Sequence, residues 1–238
     1  MYPAVAATSP GPTRGAAGAV VVKRPRGRPR KTPGERDDGN RRLELIRAAA
    51  VLFRRKGFDA TSTRDIAAAV GMRSGSPFYH FKSKSALLYA VMEDGMRSAI
   101  ARQGEALSAT RSLPEGDEPG QASGATACAQ MRHLIRAHFD TLLGAGNDFV
   151  PVMLYEHRAL SVAQRKLLAR LQGEYESAWT PVLEALHASG RLRAPVKLAR
   201  LLILGALNWS VQWFDRNKGA SLDQLTDAAM ALFLQEIR

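Results

Sequence analysis

The sequence predicts an all-α protein, and three observations carry that prediction. No stretch alternates apolar and polar residues at the two-residue period of a half-buried strand. Apolar residues instead recur at helical spacing through most of the chain beyond residue 40. Glycines and serine caps, the residues that stop and start helices, stand between those stripes.

The first 38 residues lack any such stripe and read as a disordered arm rich in Ala, Gly, Pro and Arg. Within it "KRPRGRPRK", Lys23 to Lys31, sets six cations among two prolines and one glycine. Pro25 and Pro29 fix φ and remove two donors, so this strap is extended. A helix then begins near Asn40, with Leu43, Ile46, Ala49, Ala50, Leu52 and Phe53 as its apolar stripe and Gly57 ending it. Ser62 followed by Asp65 has capping-box spacing, with Asp in place of the usual Glu or Gln. The short helix it opens runs to Val70, and Gly71 stops it. A second short helix is expected from about Ser74 to Phe81, with Pro77 at its N3 position, where a missing N–H costs little. A longer one is expected from Ser83 to Ala109. Ser112 to Gly124 is a loop by its turn signals. Helical periodicity returns from Met131 to Leu143, Gly144 and Gly146 end it, and Asn147 is placed to cap a helix holding Val152 and Leu154. Helices over 162–188, 195–215 and 221–237 complete the pattern.

Charge divides the chain as sharply as periodicity does. Net charge is +12 over 238 residues. Residues 1–36 carry eight Lys/Arg against one acid, residues 37–94 ten against seven, and the remaining 144 sixteen against fourteen. Such asymmetry indicates an N-terminal polyanion-binding half joined to a half with another task. The single cysteine, Cys128, excludes an internal disulfide framework and fits a reducing, cytoplasmic setting. The most apolar run, Leu198 to Phe214, contains Arg200, Asn208, Ser210 and Gln212 and is too short and polar for a membrane span. There is no nucleophile elbow, no HExxH and no glycine-rich phosphate loop, and His133 and His138 are poorly spaced for one helix face. Neither catalysis nor a metal or cofactor is expected.

Two short helices across a glycine turn in a basic region form the arrangement of a helix-turn-helix. The first buries Ile66, Ala67 and Val70. The second offers Ser74, Gly75 and Ser76 at its N-terminal end, where small side chains let the backbone approach a base edge or phosphate. Tyr79, His80, Lys82 and Lys84 follow, suited to sugar-phosphate contacts.

Residues 41–92, "RLELIRAAAVLFRRKGFDATSTRDIAAAVGMRSGSPFYHFKSKSALLYAV" with its start and end, resemble the DNA-binding domain of TetR-type bacterial transcriptional regulators. The likeness lies in the Gly-Phe turn, "TSTRDIA", the glycine after the second helix and "YHFKSKSALL". It implies that Thr63, Arg64, Ser74, Gly75, Ser76, Phe78 and Tyr79 face DNA and that His80 and Lys84 hold phosphates. Phe78 stands where tyrosine is common, so that phosphate hydrogen bond is absent. Ahead of this head, the "RGRP" of the strap is AT-hook-like. Arg26, Arg28 and Arg30, held extended, suit the narrow minor groove of A·T-rich DNA.

Three segments follow from these readings: the arm at 1–38, a helix-turn-helix domain at 39–94, and a helical effector-binding and dimerisation domain at 95–238. The helix at 195–215 is apolar nearly all round, so it is buried or at an interface. With Leu222, Leu225 and Leu232 of the last helix it could pair with its symmetry mate as a four-helix bundle, making a homodimer. "VMLYEHRAL", Trp179 and "LNWSVQWFDRNKGASLDQL" are similar to acyl-CoA-responsive repressors of fatty-acid and steroid degradation. That likeness implies a small apolar effector, with an acyl-CoA as candidate and Tyr155, Arg158 and Trp209 as candidate contacts. The expected function is a one-component regulator, a repressor on palindromic double-stranded DNA; the alternative is an AT-hook architectural protein with no effector.

Overall fold

A computed structural model of the chain describes residues 38–72, 76–110, 119–144, 148–215 and 217–235. The described residues are helical, with no strand among them: α1 Asp38–Lys56, α2 Thr63–Ala69, a 3-10 turn Ser76–Tyr79, α3 Lys84–Ser108, α4 Pro119–Leu143, α5 Phe149–Glu156, α6 Val162–Ser177, α7 Thr180–Ala188, α8 Val196–Trp209 and α9 Leu222–Phe233. A 3-10 turn, Ser210–Gln212, continues α8. The all-α expectation is met.

The local stop and start signals act as read. Gly57 and Gly71 take φ of +82° and +65°, the left-handed conformation that ends α1 and α2. The Ser83 hydroxyl accepts from the Ala86 amide at 3.0 Å and opens α3. Helix α3 then runs unbroken through residue 95, so the basic head and the C-terminal helices share one rod.

Several boundaries differ from expectation. Helix α1 starts at Asp38, two residues before Asn40. In place of a helix from Ser74 to Phe81 there is one 3-10 turn, Ser76–Tyr79. Pro77, the second residue of that turn, has no N–H to give to it. Its own carbonyl instead takes the His80 and Phe81 amides at 3.0 and 2.9 Å. The expected loop up to Gly124 is already helix from Pro119 onward. Gly124 is there because a Cβ would stand 3.1 Å from Ser189, so the glycine serves a close approach and not a turn. The expected helix over 162–188 is two, broken around Trp179, because Pro181 fits only the first turn of a new helix. Asn147 lies outside the described residues; Asp148 precedes α5 without a side-chain cap.

Two apolar cores result. The first joins Ile46 and Phe53 of α1, Ile66 of α2 and Phe81 to α3, to Phe149 of α5 and to Tyr175 of α6. The second joins Met131 and Phe139 of α4 to Trp179, Leu183, Ile203 and Leu222. Helix α3 packs most extensively on α4 and α6 and carries the first core alongside the second. On α8 one face is buried through Ala199, Ile203 and Leu207, while Leu198, Leu201, Leu202 and Trp209 stand exposed. No described helix is long and apolar enough to cross a membrane.

Candidate nucleic-acid interface

The head is built around the turn from α1 to α2. After Gly57, the Thr61 hydroxyl, fully buried, donates to the Gly57 carbonyl at 2.7 Å and fixes the turn from inside. Ser62 then caps α2 reciprocally. Its hydroxyl accepts from the Asp65 amide at 3.1 Å, while the Asp65 carboxylate accepts from the Ser62 amide at 2.9 Å. The hydrogen bonds that the Ser62 amide and hydroxyl donate to the Asp65 carboxylate, with a smaller contribution from Lys56 and Arg64, hold its pKa below the ordinary value. The cap aims α2 so that Ile66 and Ala67 are buried while Arg64 is exposed and Thr63 half-buried.

Beyond α2, Tyr79 is 92% exposed at the end of the 3-10 turn, and His80 is half-exposed beside it. Tyr79 so placed presents its ring and hydroxyl to any molecule that meets the tip of the basic head. Pro77 and Phe81 turn the other way, into the protein, and the Arg42 guanidinium stands 5.0 Å over the Phe81 ring. Ser76 and Phe78 lie in the turn; Ser74 and Gly75, and Arg26, Arg28 and Arg30 of the arm, lie outside the described residues.

Lys84, for which the resemblance implies a phosphate contact, is engaged within the protein. Its ammonium donates to the carbonyls of Phe58 at 2.8 Å, Thr61 at 3.0 Å and Asp59 at 3.4 Å, and stands 4.3 Å over the Phe58 ring. An ammonium has three N–H donors, and here all three face backbone carbonyls of the α1–α2 turn. Lys84 therefore pins the head to the first turn of α3.

Sequence reading missed the ties from the head to α5. The Phe58 amide donates to the Glu156 carboxylate at 2.9 Å, and Arg54 pairs with Asp148. Between them Gly95 of α3 lies flat against the Phe149 ring, where a Cβ would collide. No local pattern signals such pairings, since their members lie far apart in the chain.

The three candidate effector residues are all exposed. Tyr155 is 60% exposed at the end of α5, its hydroxyl accepting from the Gln212 side-chain Nε2. Arg158 stands in the short 3-10 turn that follows α5, and Trp209 is 66% exposed at the end of α8. Trp179, by contrast, is fully buried in the second core. His138 is also buried, its Nδ1 2.7 Å from the Tyr175 hydroxyl.

A capped two-helix head on a basic surface, carried by a long helix into a second helical core, defines the class. Residues 45–91 match the model of bacterial regulatory proteins of the tetR family, and residues 124–237 match a tetracyclin repressor-like C-terminal domain. The chain belongs to the TetR family of bacterial regulatory proteins. It is 27% identical over 210 residues to the HTH-type transcriptional repressor KstR2 of Rhodococcus jostii RHA1, spanning 85% of this chain and 96% of that protein. Among solved structures, the superantigen PfiT is 33% identical with a TM-score of 0.69, covering 84% of this chain and all of the other. AibR in complex with isovaleryl coenzyme A and operator DNA superposes with a TM-score of 0.68 at 21% identity, covering 81% and 97% of the two chains. A superantigen and an operator-binding protein on one fold show that the fold alone does not choose the task.

Proposed function

We propose that the chain is a one-component transcriptional repressor. Two copies place their heads on the half-sites of a palindromic operator, and a small apolar effector bound in the C-terminal half releases them. The observation that carries this reading is the exposed Tyr79, next to His80 in the chain, on a head whose α2, bearing the exposed Arg64, is fixed by the Ser62–Asp65 cap. Thr63, Arg64, Ser74, Gly75, Ser76, Phe78 and Tyr79 form the DNA-facing surface, His80 meets phosphate, and Arg26, Arg28 and Arg30 lie in the neighbouring minor groove.

Dimerisation is supported by the apolar residues that α8 and α9 leave in solvent, among them Leu202 at 68% and Leu232 at 80% exposure. Pairing such faces by two-fold symmetry buries them and sets two heads one or more DNA turns apart. KstR2 is named a transcriptional repressor, and AibR was crystallised with an acyl-CoA and operator DNA, which makes an acyl-CoA the first effector class to try. Release requires that the effector bind the DNA-free conformation more tightly.

The test is a titration of the full chain, at physiological salt, into the intergenic DNA beside its own gene and into a shuffled duplex of equal composition. A preference of about a thousand-fold or more supports a repressor. Equal affinity overturns it in favour of architectural binding through the arm.

A further inference from the structure

A groove of about 380 Å³ lies between α1 of the head and α3, the rod that carries it, and the start of α5 lines it as well. Small-molecule sites have volumes of roughly 300 to 1,000 Å³, so this one can hold a compact ligand. Part of its lining is apolar. Val51 of α1 stands 38% exposed there, and Val91 and Phe149 are buried behind it. The Phe149 ring fits against Gly95 because that residue has no Cβ to hold it away.

The charged part of the lining is matched except at two points. Arg54 pairs with Asp148, and Arg102 already has a partner within the chain. Arg47 of α1 and Asp94 of α3 are both exposed. Neither makes an ion pair or a side-chain hydrogen bond with any described residue. The groove thus offers one unmatched cation from one helix and one unmatched anion from the other, beside apolar surface.

That combination selects by exclusion. A phosphate or another polyanion would be repelled by Asp94 and Asp148. A simple amine would leave Arg47 unmatched, and a simple carboxylate would leave Asp94 unmatched. A ligand that carries both charges answers both side chains. The rest of it is apolar, since Val51 and Phe149 have no side-chain hydrogen bond to give and covering Val51 removes apolar surface from water.

We propose that this groove binds a free α-amino acid with an apolar side chain, its carboxylate on Arg47 and its ammonium on Asp94. The guanidinium presents paired N–H donors that match a carboxylate, and the ammonium brings three donors to the Asp94 oxygens. The ligand's side chain covers Val51 and meets Phe149. This site lies at the junction of head and rod, apart from the effector of the repressor reading. The inference goes beyond that reading and does not depend on it, and its test needs no DNA.

Calorimetric titration of the full chain with L-phenylalanine, 3-phenylpropionate (no ammonium) and 2-phenylethylamine (no carboxylate) separates the two charges. Phenylalanine should bind about ten-fold or more tighter than either analogue, one charged contact for each. Arg47→Gln should abolish its advantage over phenylethylamine, and Asp94→Asn its advantage over phenylpropionate. Both side chains are exposed, so neither change removes core packing. Equal binding of the three ligands overturns the proposal, as does no binding of either L-phenylalanine or the smaller L-leucine. An advantage that survives both variants puts the amino acid elsewhere and overturns it too. If a variant does not fold, the backbone amide resonances of Arg47 and Asp94 in the unaltered chain decide. They must shift on saturation with phenylalanine; binding that leaves both unmoved overturns the proposal.

Discussion

The Glu156 carboxylate accepts a hydrogen bond from the Phe58 amide at 2.9 Å, tying the last residue of α5 to the turn that follows α1. Lys84 holds the same residue by its carbonyl and its ring. Phe58 is thus fixed to α3 on one side and to the C-terminal half on the other, and a shift of α5 must move the head.

Glu156→Ala removes one of these ties. Stability should fall by about 1 to 2 kcal/mol, as for a hydrogen bond to a charged group that is partly solvated, measured by urea unfolding. The change in operator affinity on adding effector should shrink, while affinity without effector stays within a few-fold. An undiminished effector response would mean that α5 does not transmit.

Lys84→Met separates pinning from phosphate contact. The salt dependence of operator binding should keep its slope, and stability should drop by about 2 kcal/mol because three buried-side carbonyls lose their donor. A slope shallower by about one unit would instead mean that the ammonium reaches phosphate in the complex.

Gly95→Ala carries a sign that intrinsic propensity alone gets wrong. An exposed helical glycine replaced by alanine gains about 1 kcal/mol. Here the new Cβ collides with the Phe149 ring, so a net loss of about 1 to 3 kcal/mol is expected from overpacking. Adding Phe149→Ala should make the Gly95→Ala step favourable; additive losses would mean the two do not touch.

His138 sets a pH dependence. Its folded pKa, about 4, lies below the ordinary 6.5. Between those values the unfolded chain binds a proton that the folded one refuses, so stability falls as pH drops, by about 1.4 kcal/mol per unit where this group dominates. Above the unfolded value it contributes no slope. Unfolding free energy measured from pH 7 to 4.5 should show the decline, and His138→Phe should flatten it.

What was legible in the sequence is what short-range chemistry writes. Ser62 and Asp65 act three residues apart, and Gly57 and Gly71 act where they stand, so the caps and stops of the head were readable. Pro77, Pro181 and Gly124 carry signals with more than one meaning. A proline near a helix start is harmless or decisive depending on which carbonyl it faces. A glycine marks a turn or, as at Gly124 against Ser189, a close approach. The Phe58–Glu156 tie spans 98 residues and the His138–Tyr175 pair 37. Only the fold brings them together, whereas Tyr155, Arg158 and Trp209 could be named from short local stretches that resemble known repressors.

The decisive measurement is operator binding by Tyr79→Ala and Arg64→Ala, each titrated beside the unaltered chain into operator and shuffled duplex over a range of salt. If this head reads the sequence, both variants lose affinity for the operator by ten-fold or more, keep their affinity for the shuffled duplex within a few-fold, and unfold like the parent. Equal losses on both duplexes, or none on either, would contradict it and leave recognition to the basic arm.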